Sequence, residues 1–296
     1  MKRLLAMILL AAVVCSAAVF AYAEGEDPYE LPLDISVGGY PPNPDCITPD
    51  GYEDDSITVR REEVRDEMHN VDFVLVWITI KSPTQLRTVC AGAPNVNQTA
   101  RPIKMAKARN AVFALNGEFY VQRTRDIFVY RQGERYRNEP DPMKDILIID
   151  ELGDFHLLTS EDKQAEIEAF LQSGRKIINA FSFGPALVKD GEMCNVREDY
   201  YFDGQARLSR IAIGQVGPLS YVVARCLGKT ETSRGCNHQM MAEFMSTLGL
   251  QSAYNMDGGL SCVMVMNGKY ADWTTYDTER EQSDIIYFAS AVNPDK

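Results

Sequence analysis

Residues 253–261 read AYNMDGGLS, a short apolar strand that ends in one acid and two glycines. A carboxylate at a strand end, followed by backbone without side chains, is typical of an edge where a ligand is bound. Residues 111–120 read AVFALNGEFY and repeat this design, because the apolar run stops at Asn-Gly and then presents Glu118. We therefore expect two strand ends, carrying Asp257 and Glu118, to line one cleft.

Apolar runs of strand length recur through the chain and predict a β-rich α+β domain. These runs cover residues 73–80, 111–115, 127–130, 146–149, 177–183, 207–213, 221–226, 252–256, 263–266 and 285–289. Turn pairs at residues 190–191, 217–218 and 267–268 favour hairpins over long crossovers. The expected architecture is a single domain with a mixed, mainly antiparallel sheet and flanking helices.

Two segments have helix start and stop signals. The first begins near Thr159 with Asp162 as its capping partner, stops at Gly174, and places three apolar side chains on one face. These side chains are Ile167, Phe170 and Leu171. The second covers residues 238–248 after a capping Asn237, and its methionine-rich face is expected to be core. His238 is interpreted as a first-turn residue of this helix.

The chain divides into three parts by composition. Residues 1–23 carry Lys2 and Arg3, an apolar run and a final Ala-Tyr-Ala, which together predict a cleaved secretory signal. Residues 24–55 are rich in Pro, Gly, Asp and Glu and predict a flexible acidic leader. Residues 56–292 form the expected domain. The mature protein is thus expected to be secreted or extracytoplasmic, with no stable membrane span.

Charge and cysteine content limit the partners and the cross-links. The formal net charge is −12, and removal of Lys2 and Arg3 takes it to −14, which disfavours nucleic acid and anionic lipid as partners. Six cysteines remain after processing, and an exported chain permits three bridges, of which we expect Cys226 to Cys236. Buried free thiols are the alternative. No zinc-ligand spacing occurs, and we expect neither a metal nor a cofactor.

Four segments in a fixed order resemble the phosphodiester glycosidase family over about residues 57–290. They are ALNGEFY at 114–120, AFSFGPALVKDG at 180–191, RIAIG at 210–214, and NMDGGLS at 255–261 running on to MVMNGK at 264–269. The resemblance implies a hydrolase that cleaves a sugar from a phosphodiester. The chain departs from the family pattern at two positions of the expected cleft, because Glu118 and Leu260 each replace a glycine.

The resemblance and the chemistry of the reaction assign roles to particular residues. A sugar-1-phosphodiester is an acetal whose phosphate leaving group departs without much protonation, so one carboxylate can suffice where ordinary glycosidases need two. Asp257 is the expected nucleophile, base or electrostatic stabiliser, Glu118 the second acid or a sugar-hydroxyl ligand, and Arg210 the phosphate clamp. The expected substrate-binding residues are Asn116, Gly117, Ser182, Gly258, Gly259 and Ser261.

Two other functions remain open at this point. The same fold with a remodelled pocket would serve as a non-catalytic module that binds envelope glycans. Alternatively, Asp257, Glu118 and Asn116 would offer oxygen ligands to a hard cation such as calcium or magnesium in a metal-dependent phosphodiesterase.

Overall fold

The computed structural model describes residues 27–93, 96–118, 127–200, 204–275 and 277–294. The predicted signal segment, residues 1–23, lies outside these ranges. In chain order the strands are β1 (Ile47–Thr48), β2 (Gly51–Glu53), β3 (Ile57–Asp66), β4 (Val71–Ile80), β5 (Leu86–Cys90), β6 (Ala111–Asn116), β7 (Phe128–Arg131), β8 (Glu134–Asn138), β9 (Ile146–Asp150), β10 (Phe155–Leu158), β11 (Ile177–Phe181), β12 (Ala186–Lys189), β13 (Glu192–Met193), β14 (Arg210–Gly217), β15 (Ser220–Cys226), β16 (Ser252–Asn255), β17 (Met264–Met266), β18 (Lys269–Tyr270) and β19 (Asp284–Ala289).

These strands form three sheets, and every pairing between them is antiparallel. The largest sheet has the order β1-β2-β3-β4-β15-β14-β16-β12-β13, and the two smaller ones have the orders β10-β9-β11-β7-β8 and β18-β17-β6-β19-β5. The three expected turn pairs close the hairpins β12–β13, β14–β15 and β17–β18. The main hydrophobic core combines side chains from all three sheets, including Val76, Leu147 and Phe288. The predicted β-rich α+β class is confirmed.

Three helices are present in the described part of the chain, namely α1 (Pro102–Ala108), α2 (Lys163–Gln172) and α3 (His238–Ser246). Helix α3 begins as expected, because Asn237 caps it by accepting from the Met240 N–H at 2.8 Å. Helix α2 begins later than expected, because Asp162 itself is the N-cap and accepts from the Ala165 N–H. Leu171 is exposed and does not share the buried face of Ile167 and Phe170.

The segment predicted as a flexible leader packs against the domain over its described part. Residues 47–53 supply two strands of the largest sheet, and Tyr52 is buried in the main core. Leu31 joins a second core cluster, and the Tyr40 N–H donates to the Ser290 carbonyl at 3.1 Å. Residue 56 is therefore not a boundary of the folded unit, because the sheet continues across it through the β2–β3 pairing.

The expected bridge between Cys226 and Cys236 is not formed. Both residues are buried free thiols that lie close enough to hydrogen-bond to each other. Cys226 Sγ also donates to the Leu208 carbonyl, which in turn accepts from the Cys236 N–H at 3.0 Å. The two side chains are thus neighbours, as the prediction required, but the structure has both as free thiols.

Candidate active site

Strand register places the backbone of Asp257 beside that of Arg210. Strands β14 and β16 are antiparallel with Ala212 opposite Asn255, so the start of β14 faces the residues that follow β16. A Cβ atom added to Gly258 would lie 3.5 Å from the Arg210 Cδ. The Asp257 carboxylate and the Arg210 guanidinium, which are predicted to act on one substrate, are therefore carried by adjacent backbone segments.

Asp257 is half-buried, and its carboxyl is incompletely bonded at the buried Oδ2 atom. Neither Asp257 Oδ2 nor Ser261 Oγ has a hydrogen-bond partner of ordinary geometry within the described residues. Burial raises the pKa of Asp257, while the nearby Ser261 hydroxyl and the Arg280 charge act in the opposite direction. The charge of Asp284 adds to the increase. An unsatisfied buried acceptor is costly in a folded protein and is typical of a functional group awaiting a ligand.

Asn116 connects the two motifs but does so as a structural link. Its Nδ2 donates to the Asp257 carbonyl at 2.9 Å and to the Gly117 carbonyl at 3.1 Å, and its Oδ1 accepts from the Val263 N–H at 3.1 Å. The side chain is completely buried. Because these bonds occupy both ends of the amide, Asn116 holds the Asp257 loop against β6 instead of presenting its amide to a sugar.

Glu118 belongs to a buried ionic cluster that the sequence did not reveal. Its Oε1 lies 2.8 Å from Arg131 Nη2, which also lies 2.6 Å from Asp284 Oδ2. Its Oε2 accepts from the Ser182 N–H at 2.6 Å, and its own N–H donates to Asp284 Oδ1. We call Glu118, Arg131 and Asp284 the buried triad. It joins the ends of β6, β7 and β19 in one place.

Two carboxylates share one guanidinium in the buried triad, and this affects their titration. Burial raises the pKa of Glu118 to about 7, an effect that Arg131 opposes and the Asp284 charge reinforces. Burial also raises the pKa of Asp284, again against the attraction of Arg131. Desolvation is the dominant cause in both cases, because it penalises the charged form of a carboxyl.

The remaining predicted binding residues mostly serve the backbone. The Ser182 hydroxyl accepts from the Phe128 N–H and donates to the Phe128 carbonyl, so it ties β7 to the end of β11. The Gly117 N–H donates to the Asp284 carbonyl, and the Gly259 N–H donates to the Ser209 carbonyl. These two N–H groups are therefore bonded within the protein and do not face a ligand in this structure. The Gly258 N–H is directed at the Asp257 carboxylate and favours its charged form.

The Arg210 guanidinium contacts neutral acceptors among the described residues. Its Nη1 lies 2.9 Å from His238 Nε2, and its Nη2 donates to the Ala206 carbonyl at 3.0 Å. The residue is only 2% exposed. Burial and the charge of Arg210 lower the pKa of His238 to about 3, so the imidazole is neutral.

Three residues of the site were missed from the sequence, namely Arg131, Asp284 and His238. Arg131 closes the apolar run that begins at residue 127, and Asp284 opens the run that ends at residue 289. The signal that identified Asp257 was a charged residue at the end of an otherwise apolar strand. The same signal, applied to these two strands, would have identified Arg131 and Asp284. His238 carries no comparable signal.

No group of three His, Cys, Asp or Glu side chains is arranged within the described ranges to hold a metal ion. None of the described helices has the length and apolarity needed to cross a bilayer.

Two solved structures share the fold of this chain. A hypothetical protein from Synechocystis superposes with a TM-score of 0.62 at 16% identity, over 78% of this chain and 62% of its own. The catalytic domain of zebrafish N-acetylglucosamine-1-phosphodiester alpha-N-acetylglucosaminidase, auto-inhibited by its pro-peptide, superposes with a TM-score of 0.61 at 19% identity, over 81% of this chain and 86% of its own. No curated protein matches the chain in sequence.

At these identities the two superpositions establish the fold. The aligned region spans less than two thirds of the Synechocystis protein. A sequence model of the family described as phosphodiester glycosidase matches residues 109–289, which include Asp257, Arg210 and the whole buried triad. This match covers more than half of the sequence and confirms the resemblance seen in the four motifs. The chain belongs to the phosphodiester glycosidase family.

Proposed function

We propose that this protein is a hydrolase that releases a sugar from a sugar-1-phosphodiester on a glycan or envelope polymer. The observation that carries the proposal is the buried, unbonded Asp257 Oδ2 on a loop that lies against Arg210. The activity named for the zebrafish relative, hydrolysis of an N-acetylglucosamine-1-phosphodiester, is of this class and supports it.

In this proposal Asp257 acts at the anomeric carbon. The transition state resembles an oxocarbenium ion, and a carboxylate next to it stabilises the positive charge as base or nucleophile. Departure of a phosphate monoester needs little protonation, so the reaction does not require a general acid close to the leaving oxygen. Arg210 binds the phosphate, because a guanidinium donates in parallel to two phosphate oxygens.

Isotope transfer distinguishes the proposed reaction from its alternatives. The protein is incubated with a panel of sugar-1-phosphodiesters of both anomers in ¹⁸O-labelled water, and the products are analysed by mass spectrometry. Label in the released sugar supports a glycosidase, because water then attacks carbon. Label in the phosphate would instead identify a phosphodiesterase, and saturable binding without any product would identify a glycan-binding module.

Asp257→Asn tests the catalytic carboxylate. The amide has the same shape but cannot carry the charge, so we expect kcat to fall by about 10²–10⁴-fold while the melting temperature is retained. The matched control is Asp55→Asn, because Asp55 is exposed and far along the chain from the site. An Asp257→Asn variant with near-normal turnover would remove Asp257 from the mechanism.

Arg210→Ala tests phosphate recognition, with the exposed Arg60→Ala as its control. We expect Arg210→Ala to weaken turnover of phosphodiester substrates and to leave any turnover of uncharged aryl glycosides comparatively intact. Equal losses on both substrate classes would show that Arg210 does not recognise phosphate.

We also propose that the protein is exported and that residues 1–23 are removed. The support is the basic start, the apolar run and the small residues before Glu24. N-terminal sequencing of protein recovered from outside the cytoplasm should begin at Glu24. Recovery with Met1 still in place would exclude cleavage.

A further inference from the structure

The contact between Arg210 and His238 has a fixed direction. A guanidinium has donors only, so His238 Nε2, 2.9 Å from Arg210 Nη1, must be the acceptor. The imidazole must then be neutral, with its proton on Nδ1. Burial and the adjacent Arg210 both favour this state, since they lower the His238 pKa to about 3. The N-terminal end of α3, where His238 lies, favours it as well because the helix dipole is positive there.

The ring of His238 is held tightly in place. Its backbone N–H donates to the Gly204 carbonyl at 2.9 Å, and the Tyr200 ring meets it edge-on with centroids 5.9 Å apart. A Cβ atom on Gly204 would come within 2.8 Å of His238 Nδ1. The residue is 1% exposed. The acceptor nitrogen therefore has one position relative to the start of β14.

His238 Nδ1 is a second unusual feature. It is buried and has no hydrogen-bond partner among the described residues. A buried N–H without a partner is normally avoided, so a side chain chosen only for packing at this position would be apolar. The polar ring is explained if its other nitrogen is needed as an acceptor.

We propose that His238 is a positioning residue that orients the Arg210 guanidinium for the phosphodiester group of the substrate. This inference rests on the proposed function of Arg210. A guanidinium donates bidentately only in its own plane, so the direction of that plane decides whether two phosphate oxygens are reached together. His238 fixes one Nη1 donor and, being neutral, adds no charge that would compete with the phosphate.

Two substitutions distinguish the role of the His238 Nε2 acceptor from the packing of the His238 side chain. His238→Gln keeps an acceptor near the position of Nε2, whereas His238→Asn is polar and well tolerated in a first helical turn but is too short to reach Arg210. We expect the Gln variant to keep KM for a phosphodiester substrate within about threefold of wild type, and the Asn variant to raise it by about 10- to 100-fold with a much smaller effect on kcat. Equal KM values for the two variants would overturn the proposal.

A measurement that needs no turnover keeps the test independent of the proposed function. Nitrogen-15 NMR of the wild-type protein should show His238 protonated at Nδ1 and unprotonated at Nε2, and the restrained Arg210 Nη signals should be retained in the Gln variant but broaden in the Asn variant. A charged imidazole, or a proton on Nε2, would refute the positioning role. If these signals behave as expected but no phosphodiester releases sugar, the proposed function is refuted, whereas the hydrogen bond between Arg210 and His238 is confirmed.

Discussion

Glu118 and Asp284 compete for one buried guanidinium, and Arg131 cannot fully neutralise both. Glu118 accepts from Arg131 and from the Ser182 N–H, and both donors favour its charged form. Desolvation nevertheless dominates, which is why the pKa of Glu118 rises to about 7. The carboxyl of Glu118, which replaces a glycine of the family pattern, therefore has a pKa close to neutral pH.

This titration predicts how Glu118→Gln changes the pH dependence of stability. The folded protein holds the Glu118 proton up to about pH 7, whereas the reference pKa is 4.5, so the stabilising contribution is complete below about pH 4.5 and is lost as the pH rises through 7. The unfolding free energy of wild type minus that of Glu118→Gln should therefore fall by up to about 3 kcal/mol across this window. Urea denaturation at several pH values measures the difference.

The exposed Glu63→Gln variant is the control for this experiment. A flat difference for Glu118→Gln would show that Arg131 keeps Glu118 ionised in the folded protein down to acid pH.

Single-residue signals predicted part of the site and missed the rest for a physical reason. Asp257 and Glu118 were found because each follows an apolar run directly. The roles of their partners depend on contacts across the fold, since Arg131 and Asp284 are 153 residues apart in sequence and Asn116 reaches a carbonyl 141 residues away. A local pattern can mark Arg131 and Asp284 as charged strand ends, but it does not record which residues they contact.

At the scale of secondary-structure elements, the Asp284 side chain at the start of β19 lies directly against the backbone that follows β6, where the buried triad forms. Strand β19 pairs with β6 so that Ile285 lies opposite Asn116, which places Asp284 beside Gly117. A Cβ atom on Gly117 would lie only 2.2 Å from Asp284 Oδ1. The absence of a side chain at residue 117 is therefore what allows Asp284 to reach Arg131.

Gly117→Ala should consequently displace Asp284 and loosen the ends of both strands. We expect a loss of about 1–3 kcal/mol in unfolding free energy, together with reduced activity, because Glu118 loses the support of its neighbour. Gly217→Ala is the matched control, since nothing lies within 4 Å of its added Cβ, and it should change stability by less than about 0.5 kcal/mol. Similar effects from both variants would show that the approach of Asp284 does not depend on residue 117.

Ten strands were predictable because apolar residues run together in them, and two of the strands that were missed, β3 and β5, contain charged residues. Each of the ten predicted strand runs has a counterpart in the structure. Strand β3 was missed because its sequence, ITVRREEVRD, alternates buried and exposed positions and contains a block of charged residues. Strand β5 was missed because the fully buried Arg87 breaks its apolar pattern.

At the scale of the whole molecule, the N-terminal segment is part of the fold. Arg87 Nη2 donates to the Pro32 carbonyl at 2.7 Å and to the carbonyls of Asp34 and Val37 at longer distances. A buried guanidinium needs such partners, because an unpaired buried charge is strongly destabilising. The composition of residues 24–55 indicated disorder, but composition does not reveal a buried cation elsewhere in the chain that requires this backbone.

Leu31 and Leu33 offer a matched test of this attachment, because they are two residues apart on the same segment. Leu31 is 4% exposed and packs in a core cluster with Val89 and Tyr287, whereas Leu33 is 43% exposed. Leu31→Ala should lower the unfolding free energy by about 2–3 kcal/mol through lost burial and the cavity left behind. Leu33→Ala should change it by less than about 0.5 kcal/mol.

Urea denaturation of the chain from Glu24 onward, monitored by tryptophan fluorescence, measures both free energies. If the segment were only loosely attached, neither substitution would change the unfolding free energy. A single cooperative transition that is shifted by Leu31→Ala alone would show that residues 27–55 unfold with the domain.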